Sequence, residues 1–228
     1  MKVLGVTCAR GGSRRIPRKN IKELAGKPLI AWTIQEALKA QYINKYIVSS
    51  DDDEIRQISL KYGALVLERP EELAQDDTPS ILALQHAVTE AEKSYGRFDI
   101  IADIRCTNPL KTAEHIDGMI EMLNYTQGES VIGVGPAYPI ERIKRLDKFG
   151  RIRDVILEPP DGQSQFLPES WIRNGSCYVL WRDVLMEDGV LFGHNESYGY
   201  EMDREHSINI DDEIDWMMAE ALLEARGS

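Results

Sequence analysis

Residues 3–20 read VLGVTCARGGSRRIPRKN. The apolar run 3–8 predicts a short buried β-strand, and Gly11-Gly12 predicts a loop directly after it. Further along the chain, short apolar runs alternate with segments whose apolar residues recur at helical spacing. This alternation favours a mainly parallel, twisted sheet with helices on both faces. The sequence therefore predicts an α/β fold in which the loop at 9–20 lies at the carboxyl edge of the sheet, where ligands bind.

The predicted elements fill most of the chain. Strands are expected at 3–8, 46–49, 64–67, 98–104, 130–134, 176–181 and 207–210, and helices at 29–40, after 51–53, from 78–79, around 116–123 and around 214–225. Thr78 is expected to cap the third helix, with Pro79 at its first position. Between residues 137 and 172 the pattern breaks into proline-rich and charged sequence. We therefore predict an insert at 137–172 in a domain formed by 1–136 and 173–228.

The charges are unevenly distributed. The 228 residues include 27 lysines and arginines against 38 aspartates and glutamates, a net charge of −11. Five of the cations and no acid lie between residues 10 and 19, so the other 22 cations leave the remainder of the chain at −16. A cationic loop on an acidic body attracts a small anion, whereas an acidic surface disfavours nucleic acid as a partner. A nucleic-acid-binding module that uses this loop is the rival class.

The loop at 9–20 has the composition of a phosphate-binding loop. Its glycines let backbone amides approach an anion closely, and Ser13 adds a hydroxyl donor. Arg10 and Lys19 can supply charge-assisted hydrogen bonds. The spacing matches neither the P-loop nor the dinucleotide-binding glycine motif. The loop predicts a triphosphate site, and the alternative is a basic turn that contacts only solvent.

Polar side chains also cluster before the predicted last helix. Along a strand, Asn209 and Asp211 would share one face, and their oxygens could bind Mg²⁺. The alternative is that Asp211 or Asp212 only caps the helix. The four histidines have no metal-binding spacing, so we expect them to be surface or packing residues.

The cysteines and apolar segments bear on location. Cys8, Cys106 and Cys177 lie in apolar runs and are odd in number, so we expect buried thiols without disulfides or zinc. No apolar stretch approaches the roughly 20 residues that a membrane span needs. The first residues are too short for a signal sequence. A cytoplasmic protein without a membrane partner is therefore expected.

Several motifs together resemble one family. The loop at 9–20 resembles the signature loop of the CMP-sialic acid synthetase (acylneuraminate cytidylyltransferase) family. The likeness continues, in order and over nearly the whole chain, at 48–51, 69–74 with Ser80, 107–110, 174–178 and 208–211. It implies a Rossmann-like nucleotidyltransferase fold and a reaction in which CTP and a nine-carbon 2-keto sugar acid give a CMP-sugar and pyrophosphate. It also implies Mg²⁺ as cofactor and a homodimer formed through the insert at 137–172.

The resemblance also implies roles for single residues. Catalytic roles are implied for Arg10, Lys19 and Asp211, and metal binding for Asp211 and Asn209. Nucleotide contacts are implied for Ala9, Arg10, Gly11, Gly12, Ser13, Lys19, Asn20, Arg69 and Ser80. Acceptor contacts are implied for Arg105, Thr107, Asn108, Arg142, Gln165, Arg173 and Asn174.

Several positions depart from the family pattern, among them Glu141 and Ser164, which stand where the sialate enzymes tend to carry cations. Asn209 stands where the family usually has aspartate, and Arg105 stands where the sialate enzymes usually have glutamine. Because Arg105 borders the acceptor, the sugar acid stays open between sialic and legionaminic types. Residues 202–205 resemble the legionaminic acid relatives loosely. The alternatives are an enzyme of this fold that uses another nucleotide or another acidic or phosphorylated sugar, and a silent relative kept as a dimeric scaffold.

Overall fold

A seven-stranded sheet forms the centre of the protein. The computed structural model describes residues 1–13, 15–157, 167–192 and 196–227. In chain order the strands are β1 (Val3–Cys8), β2 (Glu23–Leu24), β3 (Lys27–Pro28), β4 (Ile43–Ser50), β5 (Leu65–Glu68), β6 (Ile100–Ile104), β7 (Ser130–Ala137), β8 (Lys144–Leu146), β9 (Ile152–Asp154), β10 (Ser170–Trp181) and β11 (Ser197–Glu201). The helices are α1 (Leu29–Lys39), α2 (Asp53–Lys61), α3 (Ser80–Tyr95), α4 (Ala113–Thr126), α5 (Arg182–Met186) and α6 (Glu213–Ala225).

The strand order is β11-β7-β10-β6-β1-β4-β5. β1 pairs in parallel with β4 and β6, and β4 pairs in parallel with β5. β10 runs antiparallel to both β6 and β7, while β11 is parallel to β7. The predicted α/β class with a mainly parallel sheet is confirmed. β1 lies in the interior of the sheet, which explains why its sequence is almost continuously apolar rather than alternating.

Helices cover both faces of this sheet. On one face α1, α2 and α4 pack through Ile34, Ile55 and Met119. On the other face α3 and α5 pack through Leu84 and Leu185. Each fully buried side chain of this size stabilises the fold by about 1.5–3 kcal/mol. The two layers hold the strands in place and thereby fix the positions of the loops at their carboxyl ends.

A third apolar cluster joins the C-terminal helix to the loop after β1. Ile16 from that loop packs with Leu29 of α1 and with Trp216 and Leu223 of α6. Ile16 is almost fully buried, at 1% exposure. The loop is therefore attached to the core by one apolar side chain, and its polar residues remain free to line a site.

Two predicted local features are wrong. Thr78 does not cap α3, because its hydroxyl donates to the Glu72 carbonyl at 3.0 Å and the helix begins one residue later, after Pro79. Residues 207–210 form no strand: Ile210 N donates to the Thr107 carbonyl at 2.7 Å, and this single contact is not continued as a ladder. The segment lies against the loop after β6 instead of in the sheet.

Two strands differ from the sequence prediction. β10 begins at Ser170, six residues earlier than predicted and inside the predicted insert. β11 was not predicted, although its tyrosines alternate with small or polar residues at Tyr198 and Tyr200. The predicted insert also contains the hairpin of β8 and β9. Among the described helices, none has both the length and the apolar character that a membrane crossing would require.

Candidate active site

A cavity of about 580 Å³ opens at the carboxyl edge of the sheet. The loops after β1, β5 and β6, the start of α3 and the segment before α6 all contribute to it. It is lined by Cys8, Arg10, Ser13, Arg15, Ile16, Lys19, Asn20, Arg69, Leu73, Ala74, Gln75, Asp76, Thr78, Ser80, Ala83, Asp103, Arg105, Cys106, Thr107 and Asp211. The position agrees with the rule that ligands of such sheets bind at the carboxyl ends of the strands.

The structure brings half of the predicted site residues to this cavity. Those that line it are Arg10, Ser13, Lys19, Asn20, Arg69, Ser80, Arg105, Thr107 and Asp211. Those among the described residues that do not are Ala9, Gly11, Gly12, Asn108, Arg142, Arg173, Asn174 and Asn209. Gln165 lies outside the described residues. The individual binding roles of all these residues remain predictions.

The loop after β1 is held by its own polar groups. Asn20 Nδ2 donates to the Arg10 carbonyl at 2.9 Å, and Lys19 Nζ donates to the Ile210 carbonyl at 2.7 Å. Gly11 lies directly over Asp52, where an added Cβ would come within 2.5 Å of a carboxylate oxygen. A larger residue at Gly11 would therefore displace the loop. These contacts fix the backbone that carries the predicted triphosphate donors.

An ion pair next to the loop after β1 connects three loops of the site. Arg69 is only 5% exposed, and its Nη2 lies 2.7 Å from Asp51 Oδ1. Asp51 Oδ2 also accepts a long hydrogen bond of 3.5 Å from the Gly11 amide. Within the described residues, the Nε of Arg69 is buried without a hydrogen-bond partner. Asp51 thus joins the loops after β1, β4 and β5.

The cavity is cationic although the protein is acidic. Its lining includes five cations, Arg10, Arg15, Lys19, Arg69 and Arg105, and three acids, Asp76, Asp103 and Asp211. Two cations are paired with acids across the cavity: Arg10 Nη1 lies 2.8 Å from Asp76 and Arg15 Nη1 lies 3.6 Å from Asp211. An excess of cations inside a concave wall attracts an anionic ligand.

The side chains of Asn209 and Asp211 are in contact, although the strand predicted to place them on one face does not form. Asn209 Nδ2 donates to Asp211 Oδ2 at 3.2 Å. Asn209 Oδ1 is buried without a partner among the described residues, and it faces Gly175, where a Cβ would approach within 2.3 Å. Asp212 caps α6, because its carboxylate accepts from the amides of Ile214 and Asp215 at 2.9 and 3.0 Å. The capping role therefore belongs to Asp212, and Asp211 remains available at the cavity.

Two predicted acceptor residues have internal hydrogen-bond partners. Asn108 is buried, donates to the carbonyls of Asn174 and His206, and accepts from the amides of Leu110 and Lys111. The Asn174 side chain, also buried, bonds Ser176 and Ser207. Both asparagines stabilise the loop after β6 and the irregular part of β10 between Arg173 and Tyr178. By contrast, Arg142 and Arg173 are exposed, and the guanidinium of Arg173 lies 5.1 Å over the Phe192 ring.

Cys177 packs in the core, whereas Cys8 and Cys106 also line the cavity. All three thiols are free, and burial raises the pKa of Cys8 and of Cys177 to about 12, so neither is a thiolate near neutrality. His115 Nδ1 accepts from the Thr112 amide at the start of α4, and His206 contacts Asp203. No group of three or more metal-binding side chains occurs in the described parts of the chain. His194 lies outside them.

Two buried charges were missed by the sequence analysis. Asp103 lies within the apolar strand β6 at 3% exposure. Lys111 is 1% exposed, and its Nζ donates to Thr33 Oγ1, the Arg105 carbonyl and the Asn108 carbonyl at 2.8, 2.6 and 2.7 Å. An acid within five otherwise apolar residues was the available signal for Asp103. Lys111 holds the loop after β6 in its observed shape.

Lys111 should make stability depend on pH. Burial lowers its pKa from 10.5 to about 8. Between these values the unfolded chain binds more protons than the folded one, so this residue's contribution to the free energy of unfolding increases as pH rises. We expect the free energy of unfolding of wild type, measured in urea, to increase relative to that of Lys111→Met between pH 8 and pH 10. The exposed Lys93→Met is the control; a difference between wild type and Lys111→Met that is constant with pH would contradict the prediction.

Comparison with known proteins gives consistent results. The family described as cytidylyltransferase matches residues 5–154. N-acylneuraminate cytidylyltransferase A of Danio rerio is 35% identical over 218 residues, which cover 93% of this chain and 48% of that protein. CMP-N,N'-diacetyllegionaminic acid synthase of Legionella pneumophila subsp. pneumophila is 31% identical over 228 residues, covering 98% of this chain and 97% of that protein. The chain thus spans about half the length of the first relative and nearly all of the second.

The fold also matches a solved structure. CMP:2-keto-3-deoxy-manno-octonic acid synthetase, solved in complex with CTP, superposes with a TM-score of 0.75 and covers 99% of this chain and 100% of that one. Its sequence identity is 15%, so the match concerns the fold alone. It agrees with the Rossmann-like nucleotidyltransferase fold that the sequence resemblance implied.

Proposed function

Because the chain belongs to the cytidylyltransferase family, we propose that it transfers CMP from CTP to the anomeric hydroxyl of a nonulosonic 2-keto sugar acid. Pyrophosphate is the second product. The observation that carries this proposal is the cationic cavity at the carboxyl edge of the sheet, lined by nine of the predicted site residues. The names of the Danio rerio and Legionella pneumophila relatives, which specify N-acylneuraminate and N,N'-diacetyllegionaminic acid, support this acceptor class.

The nucleotide half of the site is proposed to lie at the loop after β1. Arg10, Ser13 and Lys19 would bind the triphosphate, together with the amides of the two glycines. Asn20, Arg69 and Ser80 would bind the rest of the nucleotide. When the acceptor oxygen attacks the α-phosphorus, charge accumulates on the departing pyrophosphate, and fixed cations stabilise it. The hydrogen bonds that hold Asn20 and Lys19 keep these donors oriented before the nucleotide arrives.

We propose Mg²⁺ as the cofactor. Asp211 and Asn209 would hold it, because a carboxylate at the cavity lies beside a buried carboxamide oxygen that has no partner in the described part of the chain. Both groups offer oxygen ligands of the kind Mg²⁺ prefers. Rotation of the Asn209 amide would bring that oxygen toward Asp211. Such a site supplies few protein ligands, which suits an ion whose remaining ligands are phosphate and water. The bound ion would neutralise phosphate charge.

Removal of the Asp211 carboxylate should weaken the binding of this ion. We expect Asp211→Ala to raise the Mg²⁺ concentration for half-maximal activity about 10-fold or more, as expected for loss of a charged interaction. Activity would be measured over a Mg²⁺ titration at saturating CTP. Asp212→Ala is the matched control: it removes a helix cap worth about 1 kcal/mol but should leave the Mg²⁺ midpoint in place. Equal midpoints in Asp211→Ala and wild type would place the ion elsewhere.

The reaction itself can be tested directly. Purified protein would be mixed with CTP, Mg²⁺ and either N-acetylneuraminate or N,N'-diacetyllegionaminate, and pyrophosphate release would be followed. Release with at least one acid is expected, and none above background would contradict the proposal. Thermal stabilisation by CTP, GTP, ATP and UTP would identify the nucleotide, since a ligand at 100 times its Kd adds about 2.7 kcal/mol. Preference for a nucleotide other than CTP would support the alternative enzyme of the same fold.

We further propose that the protein is a cytoplasmic homodimer. The free thiols support a reducing compartment. The segment around the β8–β9 hairpin exposes apolar side chains, among them Tyr138, Leu146, Phe149, Ile152 and Ile172 at 61–73% exposure. An exposed apolar surface of this kind is typical of a protein interface. It lies within the predicted insert at 137–172.

A charge on the hairpin should separate the subunits. Leu146 and Ile152 are cross-strand partners at 70% and 66% exposure. We expect the double change Leu146→Glu and Ile152→Glu to convert a dimer into a monomer in sedimentation equilibrium, because two carboxylates would be buried without partners. Leu60→Glu, at a 48% exposed position on α2, is the control and should leave the mass unchanged. A dimer that persists in the double variant would exclude the hairpin as the interface.

A further inference from the structure

Asp103 is a buried carboxylate whose one charged partner within the described residues is Arg105. It lies in the interior strand β6, with its side chain 4% exposed, and accepts from Arg105 Nε at 2.7 Å. Burial of a carboxylate in an apolar sheet costs free energy even when it is paired. The Arg105 side chain is 30% exposed and lines the cavity, so the pair joins the core to the site. Its cost makes a purely structural role a poor explanation.

The amide, the carbonyl and the Nε of Arg105 each have a hydrogen-bond partner. Its amide donates to the Ser176 carbonyl at 2.9 Å, and its own carbonyl accepts from Lys111 Nζ at 2.6 Å. The guanidinium lies 5.1 Å over the Tyr178 ring. The Asp103 carboxylate raises the pKa of Arg105, which therefore stays charged. Within the described residues, neither terminal nitrogen of Arg105 makes a hydrogen bond.

This arrangement presents an oriented guanidinium to the cavity. The planar fork of arginine matches a carboxylate, which it binds through two parallel hydrogen bonds. The loop after β1 already supplies cations for a triphosphate, whereas Arg105 follows β6, on the other side of β1 from β4. We propose that Arg105 binds the carboxylate of the acceptor sugar acid and that Asp103 is the positioning residue that orients it. This inference rests on the proposed function and identifies the carboxylate as the acceptor group that this part of the site recognises.

Steady-state kinetics can test the assignment. The variants are Arg105→Gln, Arg105→Lys, Asp103→Asn and the double variant Asp103→Asn/Arg105→Gln. The acceptor is whichever of N-acetylneuraminate and N,N'-diacetyllegionaminate wild type uses, as free acid and as methyl ester. We expect Arg105→Gln to raise the acceptor KM about 10- to 100-fold, the value of a charge-assisted hydrogen bond, and to leave the KM of CTP unchanged. Arg105→Lys should recover part of the loss, since it keeps the charge without the fork.

The ester and the double variant separate recognition from structure. Wild type should prefer the acid over the ester, and Arg105→Gln should lose that preference. Asp103→Asn should raise the acceptor KM alone, yet add nothing in the Arg105→Gln background, because it acts through Arg105. Melting temperatures would confirm that each variant is folded.

Three results would overturn the inference: an acceptor KM unchanged in Arg105→Gln, a raised KM for CTP in that variant, or an added effect of Asp103→Asn in the double variant. Absence of pyrophosphate from wild type with either acid would instead contradict the proposed function itself. The two failures are therefore distinguishable.

Discussion

Replacement of Arg10 by alanine is expected to lower turnover about 100- to 1000-fold, the usual cost of removing one fixed donor from a developing negative charge. Arg10 lines the cavity, its backbone carbonyl is held by Asn20, and its guanidinium is already directed across the site to Asp76 at 2.8 Å. Single-turnover measurements with saturating CTP would report the chemical step.

The control for this change is another arginine of the same protein. Arg97 pairs with Asp183 and precedes β6, at the opposite edge of the sheet. Arg97→Ala removes the same charge from the protein without touching the cavity, so it should leave turnover near the wild-type rate. If Arg10→Ala and Arg97→Ala retained similar activity, the triphosphate would not bind at the loop after β1.

Replacement of Asp51 by alanine is expected to lower the free energy of unfolding by about 3–5 kcal/mol, because it leaves a buried charge without its partner. The partner is Arg69, which is only 5% exposed and whose Nη2 lies 2.7 Å from Asp51 Oδ1. Urea unfolding followed by circular dichroism would measure the change. Ordinary surface changes stay well below this value.

Asp53 provides a matched comparison two residues away. It also pairs with an arginine, Arg56, but its side chain is 90% exposed. Asp53→Ala should therefore cost about 0–1 kcal/mol. Similar losses in the two variants would mean that the Asp51–Arg69 pair does not stabilise the three loops that it joins.

The fold was largely predictable because its signals are local. The apolar run at β1, the helical spacing in α1 and the acids before α2 all depend on residues close in sequence, and each was confirmed. β11 was missed because the alternation of Tyr198 and Tyr200 is short and includes a glycine. Residues 207–210 resemble a strand in composition, but their main-chain contact is with Thr107, about a hundred residues away.

The site was only partly predictable for the same physical reason. The cations of the loop after β1 are adjacent in sequence and were recognised together. Lys111 and Asp103 depend on contacts that only the fold creates. Lys111 Nζ bonds Thr33, 78 positions away, and the Asp103 carboxylate accepts a hydrogen bond from Arg105. The internal hydrogen bonds of Asn108 and Asn174 also join segments far apart in sequence, so the sequence alone does not show them.

The long antiparallel pair of β7 and β10 has a mechanical consequence. β10 spans twelve residues, about 40 Å at the usual rise per residue, and stays paired with β7 from Ser170↔Ala137 to Leu180↔Ser130, with one irregularity between Arg173 and Tyr178. This pairing extends the central sheet as far as Ala137 and Ser170, the last and first strand residues on either side of the hairpin segment. The distance between the cavity and a partner bound near Ala137 and Ser170 would therefore depend on the length and twist of these two strands.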